Sequence, residues 1–245
     1  VTALAWLRTA LFNLIFYGAS VPIVLAAPVT ARLFGKAALR KHARLWVRFH
    51  RFVARWTIGI RIAIEGEVPT GQVLYVCKHQ SLFETFELLD RLDEPAIVLK
   101  RELADIPAWG WVAREYGVIV VDREANAAAM RSMIRDARAA LAAGRSVLIF
   151  AEGTRVRPGE TPPLRAGFAG LYRALGLPTV PIAMNSGEFW PKKGTKRAGT
   201  IIFRFAPPIA PGGDRVAVER EVHAAINALE GAYRGAIATE SAAPG

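Results

Sequence analysis

In Lys78-His79-Gln80-Ser81-Leu82-Phe83-Glu84 a histidine and a carboxylate stand with four residues between them. A carboxylate that keeps one imidazole nitrogen protonated leaves the other free to take a proton from a hydroxyl, so the pair is a candidate general base. The spacing constrains where the two must lie. Five steps of an ideal helix turn through about 500°, leaving the side chains about 140° apart. They meet only if His79 sits in the turn before a helix and leans back over it. The flanks agree with that placement: Val73–Cys77 reads as a buried strand and Leu82–Leu92 as a helix.

Three further polar groups stand directly after apolar runs. Lys100-Arg101 follows Ile97-Val98-Leu99, Asp122-Arg123 follows Val118–Val121, and Glu152-Gly153-Thr154-Arg155 follows Val147–Phe150. Parallel α/β sheets gather ligands at the carboxyl ends of their strands, so these groups and His79 are expected on one rim. Lys100, Arg123 and Arg155 then suit a dianionic phosphate ester. Gly153 allows close backbone approach, and Thr154 adds a hydroxyl donor.

The elements that would carry this rim are short and alternate. Strands are predicted at Ile60–Ile64, Val73–Cys77, Ala96–Leu99, Val118–Val121, Val147–Phe150, Thr179–Ala183 and Thr200–Phe205. Helices are predicted at Leu82–Leu92, Ala108–Tyr116, Ala125–Ala143, Gly167–Leu175 and Arg215–Tyr233. Such alternation implies an α/β fold, a mainly parallel sheet with covering helices. It occupies residues 59–235, preceded by a membrane-associated helical segment over residues 1–58 and followed by a tail, residues 236–245, expected to be disordered.

Composition points the same way. The 245 residues carry a formal net charge of +11 and are 52% hydrophobic, with a pI of 10.4 and a mean hydropathy of +0.23. That balance suits an anionic, partly apolar partner surface. Cys77 is the single cysteine, so an intrachain disulfide and a cysteine-built zinc cluster are excluded. No metal site or bound cofactor is expected.

No charge interrupts residues 9–31, a run long enough for a hydrocarbon core of about 30 Å. Pro22 and Pro28 argue against one straight helix through it. A spanning helix, a kinked hairpin in one leaflet and a signal peptide remain open. From Arg32 to Arg61 there is no acidic residue. There Arg40, Arg44, Arg48, Arg51 and Arg55 share one helical arc, with Leu45, Trp46, Phe49, Phe52, Val53 and Trp56 opposite. The expectation is a basic amphipathic helix on an anionic membrane, at its cytoplasmic face. The alternative is a helix whose aromatic face packs on the core.

Taken together, the blocks resemble the glycerolipid acyltransferases, in particular the 1-acylglycerol-3-phosphate (lysophosphatidate) acyltransferases. His79 and Glu84 match that family's His-x4-Asp motif, and Gly117–Arg123 resembles its Gly-x-x-Phe-Ile-x-Arg block. Phe150–Arg155 matches Phe-Pro-Glu-Gly-Thr-Arg, and Thr179–Ile182 its closing Val-Pro strand. Glu84 stands for the usual Asp and Ala151 for the usual Pro. The resemblance implies that His79 deprotonates a glycerol hydroxyl while Glu84 orients the ring. The oxygen then attacks the thioester of acyl-CoA or acyl-carrier protein, with no acyl-enzyme, the co-substrate being the only addition required. Lys100, Arg123 and Arg155 would hold the acceptor phosphate, with Gly153 and Thr154 beside it. Glu152 would orient either Arg155 or a substrate hydroxyl. The acceptor is 1-acylglycerol-3-phosphate or another lysolipid.

Two other readings compete. A non-catalytic peripheral binder would use the basic charge alone; the apolar run and the absence of a nucleic-acid motif favour membrane over nucleic acid as its partner. A cysteine mechanism would use Cys77, whose apolar flanks instead suit a buried small side chain.

Overall fold

The computed structural model describes residues 2–122 and 126–230. Its centre is a seven-stranded sheet of β1 (Ile60–Glu65), β2 (Leu74–Cys77), β3 (Ala96–Lys100), β4 (Ile119–Val121), β5 (Val147–Phe150), β6 (Thr179–Met184) and β7 (Gly199–Phe205). The spatial order is β1-β7-β6-β2-β5-β3-β4. Every pairing is parallel except β6 with β7. The central strands are apolar along their whole length because both faces are covered: β2 and β6 are buried at every position. Each predicted strand is present, with ends within one residue.

Helices α2 (Phe83–Arg91), α4 (Trp109–Tyr116), α5 (Asn126–Ala142), α6 (Ala166–Leu175) and α8 (Arg215–Ile226) fill the predicted places. The last ends seven residues short of the expected Tyr233, and residues 231–233 lie outside the described residues, as does the expected tail at 236–245. Two four-residue helices, α3 (Arg101–Ala104) and α7 (Ser186–Phe189), are too short to show a period in the sequence.

The N-terminal segment is a helical hairpin. Helix α1 (Ala3–Val53) is broken at Gly35, whose φ of 79° suits glycine, and a wider turn, Ala54–Ile58, leads into β1. The arms fold back on each other: Trp46 Nε1 donates to Ser20 Oγ at 2.8 Å, and Phe16 stacks on Trp46. Pro22 and Pro28, which argued against one straight helix, both lie inside the first arm, and the break falls at Gly35 instead. His42 of the second arm reaches the Ile23 carbonyl at 3.0 Å, placing a donor beside the stretch that Pro28 deprives of one.

The arginine stripe corrects the expectation of a lipid-facing arc. Arg40 pairs with Glu94 at 2.7 Å, Arg44 with Asp90 and Asp93 at 3.1 Å, Arg48 with Asp90 at 3.1 Å, and Arg51 with Glu87 at 2.9 Å and Asp90 at 2.8 Å. Four of the five arginines therefore bind α2 and the turn after it; Arg55 alone is exposed without an ion pair among the described residues. The opposite face divides. Trp46, Phe49 and Val53 pack on the core, whereas Leu45, Phe52 and Trp56 stay exposed. The first arm carries the larger bare surface, with Trp6, Leu7, Leu14, Val21, Leu25 and Leu33 each at least 60% exposed.

Burial raises the Asp90 carboxyl, but the guanidiniums of Arg51, Arg44 and Arg48 outweigh it and hold the group below its ordinary 3.8. A lowered folded value means stability that is complete above pH 3.8 and lost as the pH falls through that lower value. Asp90→Asn should destabilise the protein by about 2–3 kcal/mol at neutral pH. The gap to the parent should close below pH 3.8, as read by urea denaturation across pH.

Candidate functional site

His79 lies in the turn between β2 and α2. Its Nδ1 is 2.9 Å from Glu84 Oε1, so the pair meets as the spacing required. Glu84 is the second residue of α2 and wholly buried. Its Oε1 also accepts the backbone N–H groups of Gln80 and Ser81, each at 2.7 Å. Its Oε2 accepts the hydroxyls of Ser81 and, at 2.7 Å, Ser186. The Ser81 hydroxyl in turn accepts Phe83 N–H at 3.0 Å. Ser81 and Glu84, at capping-box spacing, thus tie together the turn that leads into α2, and Glu84 captures the histidine as well.

Burial alone would raise the Glu84 carboxyl, but the bonds from His79 and Ser81 reverse this and hold it below its ordinary value. An ionised Glu84 only accepts, so Nδ1 carries the proton and Nε2 is the basic nitrogen. The ring stacks on Phe150 with centroids 4.1 Å apart. His79 is 17% exposed at its side chain, on the wall of a cleft.

That cleft has a volume of about 1280 Å³. It is lined by His79, Gly153, Thr154 and Arg155, and by Lys100 at the end of β3. Leu82, Phe86 and Leu103 also line it, as do Tyr17, Val21 and Leu25 of the hairpin and the charged Glu102, Asp122 and Lys192. One rim therefore does collect the strand ends, as the parallel registers Cys77 to Phe150 and Lys100 to Val121 require. Arg155 is half-buried and makes no ion pair among the described residues. Arg123 lies outside the described residues. Arg165, the N-cap of α6, also lines the cleft; it follows no strand, so its position carried no signal. Gly153 has a φ of 72° and its N–H closes a turn onto Phe150 O at 2.9 Å, a conformation that asks for glycine. The same turn is pinned by Arg165 N–H on Ala151 O at 2.8 Å, so it stays tight without the proline that the resemblance leads one to expect at 151.

Glu152 makes no bond to Arg155 among the described residues. Its Oε1 accepts the buried Lys78 ammonium at 2.8 Å, and its Oε2 accepts the His79 backbone N–H at 3.1 Å. Burial pushes the Glu152 carboxyl up, with Lys78 opposing. Lys78 is also bonded to Glu160 O and Asn227 Oδ1, each at 2.6 Å. Cys77 is fully buried and its thiol is pushed well up by burial, which removes the thiolate that a cysteine mechanism needs. Lys78, Ser81 and Ser186 were not singled out by sequence reasoning. The capping-box spacing was the one available signal, and it pointed to Ser81.

A family model described as acyltransferase matches residues 59–185, which contain the His79–Glu84 pair, the Gly153–Arg155 turn and β6. The chain belongs to the acyltransferase family. It is 35% identical over 182 residues to a 1-acyl-sn-glycerol-3-phosphate acyltransferase of Pseudomonas aeruginosa, covering 73% of this chain and 71% of that one. To the alpha form of that enzyme from Homo sapiens it is 29% identical over 82% of this chain and 73% of the other. Against the Cocos nucifera enzyme the match spans about half of the relative, 51%. The fold is that of the crystal structure of PlsC, the 1-acyl-sn-glycerophosphate acyltransferase of Thermotoga maritima. The TM-score is 0.72 at 23% identity, over 92% of this chain and 98% of that one.

The five bonds on Glu84 set an expectation for its substitution. In Glu84→Gln the amide oxygen can keep the three donors on Oε1, while its NH₂ meets two hydroxyls able to turn and accept. Stability should change by about 1 kcal/mol or less. Glu84→Ala strands two buried backbone N–H groups and should cost about 3 kcal/mol or more. Denaturant midpoints of the two variants give the comparison.

Proposed function

We propose that this acyltransferase moves a fatty acyl group from acyl-CoA or acyl-carrier protein to the free hydroxyl of 1-acylglycerol-3-phosphate, giving phosphatidate. The observation that carries the reading is the His79–Glu84 pair on the wall of a largely apolar cleft that the cations Lys100, Arg155 and Arg165 also line. The named relatives supply the acceptor. Nε2 of His79 takes the hydroxyl proton as the oxygen attacks the thioester carbonyl, and Glu84 offsets the imidazolium that forms. The thiol leaves, accepting the proton, and no acyl-enzyme intervenes. Arg155 and Lys100 hold the acceptor phosphate, joined in this reading by Arg123, while Gly153 and Thr154 border it. Backbone amides stabilise the oxyanion. No step calls for a metal or a bound cofactor.

We read residues 1–58 as the membrane anchor and residues 59–235 as the catalytic unit. α1 with its following turn contains a stretch long and apolar enough to cross a membrane. Its reversal at Gly35 and the bare first arm favour a hairpin seated in one leaflet. Exposed Lys192, Lys193 and Arg197 stand on the loop before β7, which Lys196 N–H ties to Thr9 of the first arm at 2.9 Å. They make no ion pair among the described residues, so in this reading they meet anionic headgroups at the cytoplasmic face, the task expected of the arginine stripe.

His79→Ala should lower turnover by about two to four orders of magnitude with the fold intact. Arg155→Ala should raise the KM for lysophosphatidate at least tenfold and leave the donor KM unchanged. The decisive assay presents the purified protein with thioester donors and a panel of lysolipids. Transfer to another lysolipid but not to lysophosphatidate overturns the acceptor; no transfer to any overturns the reaction.

Changing Lys192, Lys193 and Arg197 together to Gln should weaken binding to anionic vesicles, mostly at low salt. Changing Leu7, Leu14 and Val21 to Ser should weaken binding to neutral and anionic vesicles alike. Sedimentation with vesicles of both kinds separates the two terms. Equal binding by all these variants and the parent overturns the anchor.

A further inference from the structure

We infer that Glu230, at the end of the described chain, is a positioning residue for the base. It joins the loop of His79 to the loop of Arg155. The inference rests on the acyl-transfer reading above, and it concerns residues beyond the family match, which ends at 185.

Glu230 is 4% exposed. Its Oε1 accepts Gln80 Nε2 at 2.6 Å and lies 3.6 Å from the Lys78 ammonium. Its Oε2 accepts the backbone N–H of Gly159. Gln80 has no freedom to turn its amide, because its Oε1 already accepts Gly187 N–H at 2.9 Å. The neighbours of His79 are therefore held from the residues just after α8 on one side and from the start of α7 on the other. Gly159 lies in the same loop as Arg155, and Val156 N–H in that loop donates to His79 O at 2.8 Å. A single carboxylate thus fixes the residue after the base, faces the lysine before it, and ties down the loop that carries the guanidinium.

Placement of this kind matters because reactivity falls steeply with distance: a displacement of about 1 Å at a reacting group costs on the order of 100-fold in rate. The carboxylate is needed as a double acceptor. In Glu230→Gln one oxygen becomes a donor and confronts either the Gln80 amide or Gly159 N–H. In Glu230→Asp the charge stays, but the shorter arm cannot reach both loops. Exchanging the pair, Gln80→Glu with Glu230→Gln, restores a carboxylate-to-amide bond with its polarity reversed.

The test uses the full chain at a temperature well below each variant's Tm, with activity expressed per folded molecule. Glu230→Gln should lower kcat about 10- to 100-fold with the donor KM unchanged, and the exchanged pair should recover most of it. The His79 imidazole ¹H–¹⁵N signals should be single in the parent and doubled or broadened in Glu230→Gln. Parent-like kcat together with parent-like ring signals would make Glu230 merely structural and overturn the inference. If Glu230→Gln does not fold, Glu230→Asp decides: kcat should drop several-fold, and full kcat overturns it. If the parent transfers no acyl group to any lysolipid, the reaction reading fails. The His79 ring signals then decide this inference on their own.

Discussion

A carboxylate with no solvent access must be met by donors or it will not stay ionised, and Glu84 meets that condition with five. Three of them lie on or next to the chain that enters α2, so satisfying the charge dictates the path of Gln80 and Ser81. The fourth and fifth are the ring of His79 and the hydroxyl of Ser186, which arrives from the end of β6. The sheet is what brings Ser186 there, because β6 lies directly beside β2. Local turn, long-range strand pairing and histidine tautomer are thus one requirement expressed at three scales.

Helix α2 carries that requirement at its first turn and a second one at its last. Glu84 faces the base, while Glu87 and Asp90 face the hairpin arginines. Exposed ion pairs are worth little, often under about 1 kcal/mol. Here the carboxylates are buried and the guanidiniums only partly so, and Asp90 alone is shared among Arg44, Arg48 and Arg51. Removing one partner from such a cluster strands the others. The aromatic side agrees: buried His50 stacks on Phe86 and tilts against Phe83, both of α2. The hairpin is consequently packed as a wall of the catalytic body, with its bare apolar arm turned outward.

The sheet was legible because strands buried on both faces leave uninterrupted apolar runs, as in Val147–Phe150, and turn residues follow them directly. The His79–Glu84 contact was legible because four intervening residues admit few geometries that join a turn to a helix start. The partners of the arginine stripe were not. A helical wheel shows which charges share a face, but Glu87, Asp90, Asp93 and Glu94 stand 36 to 54 residues further along the chain from the arginines they bond. The protein partner of Glu152 was hidden for a related reason: its motif sets it beside Arg155, whereas Lys78, which it bonds, lies 74 positions away in sequence. Ser186 and Glu230 carry no local signal at all. Each is defined only by which side chain the fold brings to it.

The same logic explains why glutamate can stand where the resembling family has aspartate. A shorter side chain at position 84 would have to draw the start of α2 toward the His79 loop. The extra methylene instead lets the helix begin at Phe83 while the carboxylate reaches back over Gln80 and Ser81. Its cost is rotational freedom in one more bond, and Ser81 and Ser186 remove that freedom by gripping Oε2 from two directions. Ser186 is therefore the complement of the longer side chain. In acyl transfer the rate depends on the imidazole not swinging, and a single-oxygen grip on Glu84 would leave the carboxylate able to rotate. The residue that looks like the largest departure in the motif is accommodated by a hydroxyl outside it.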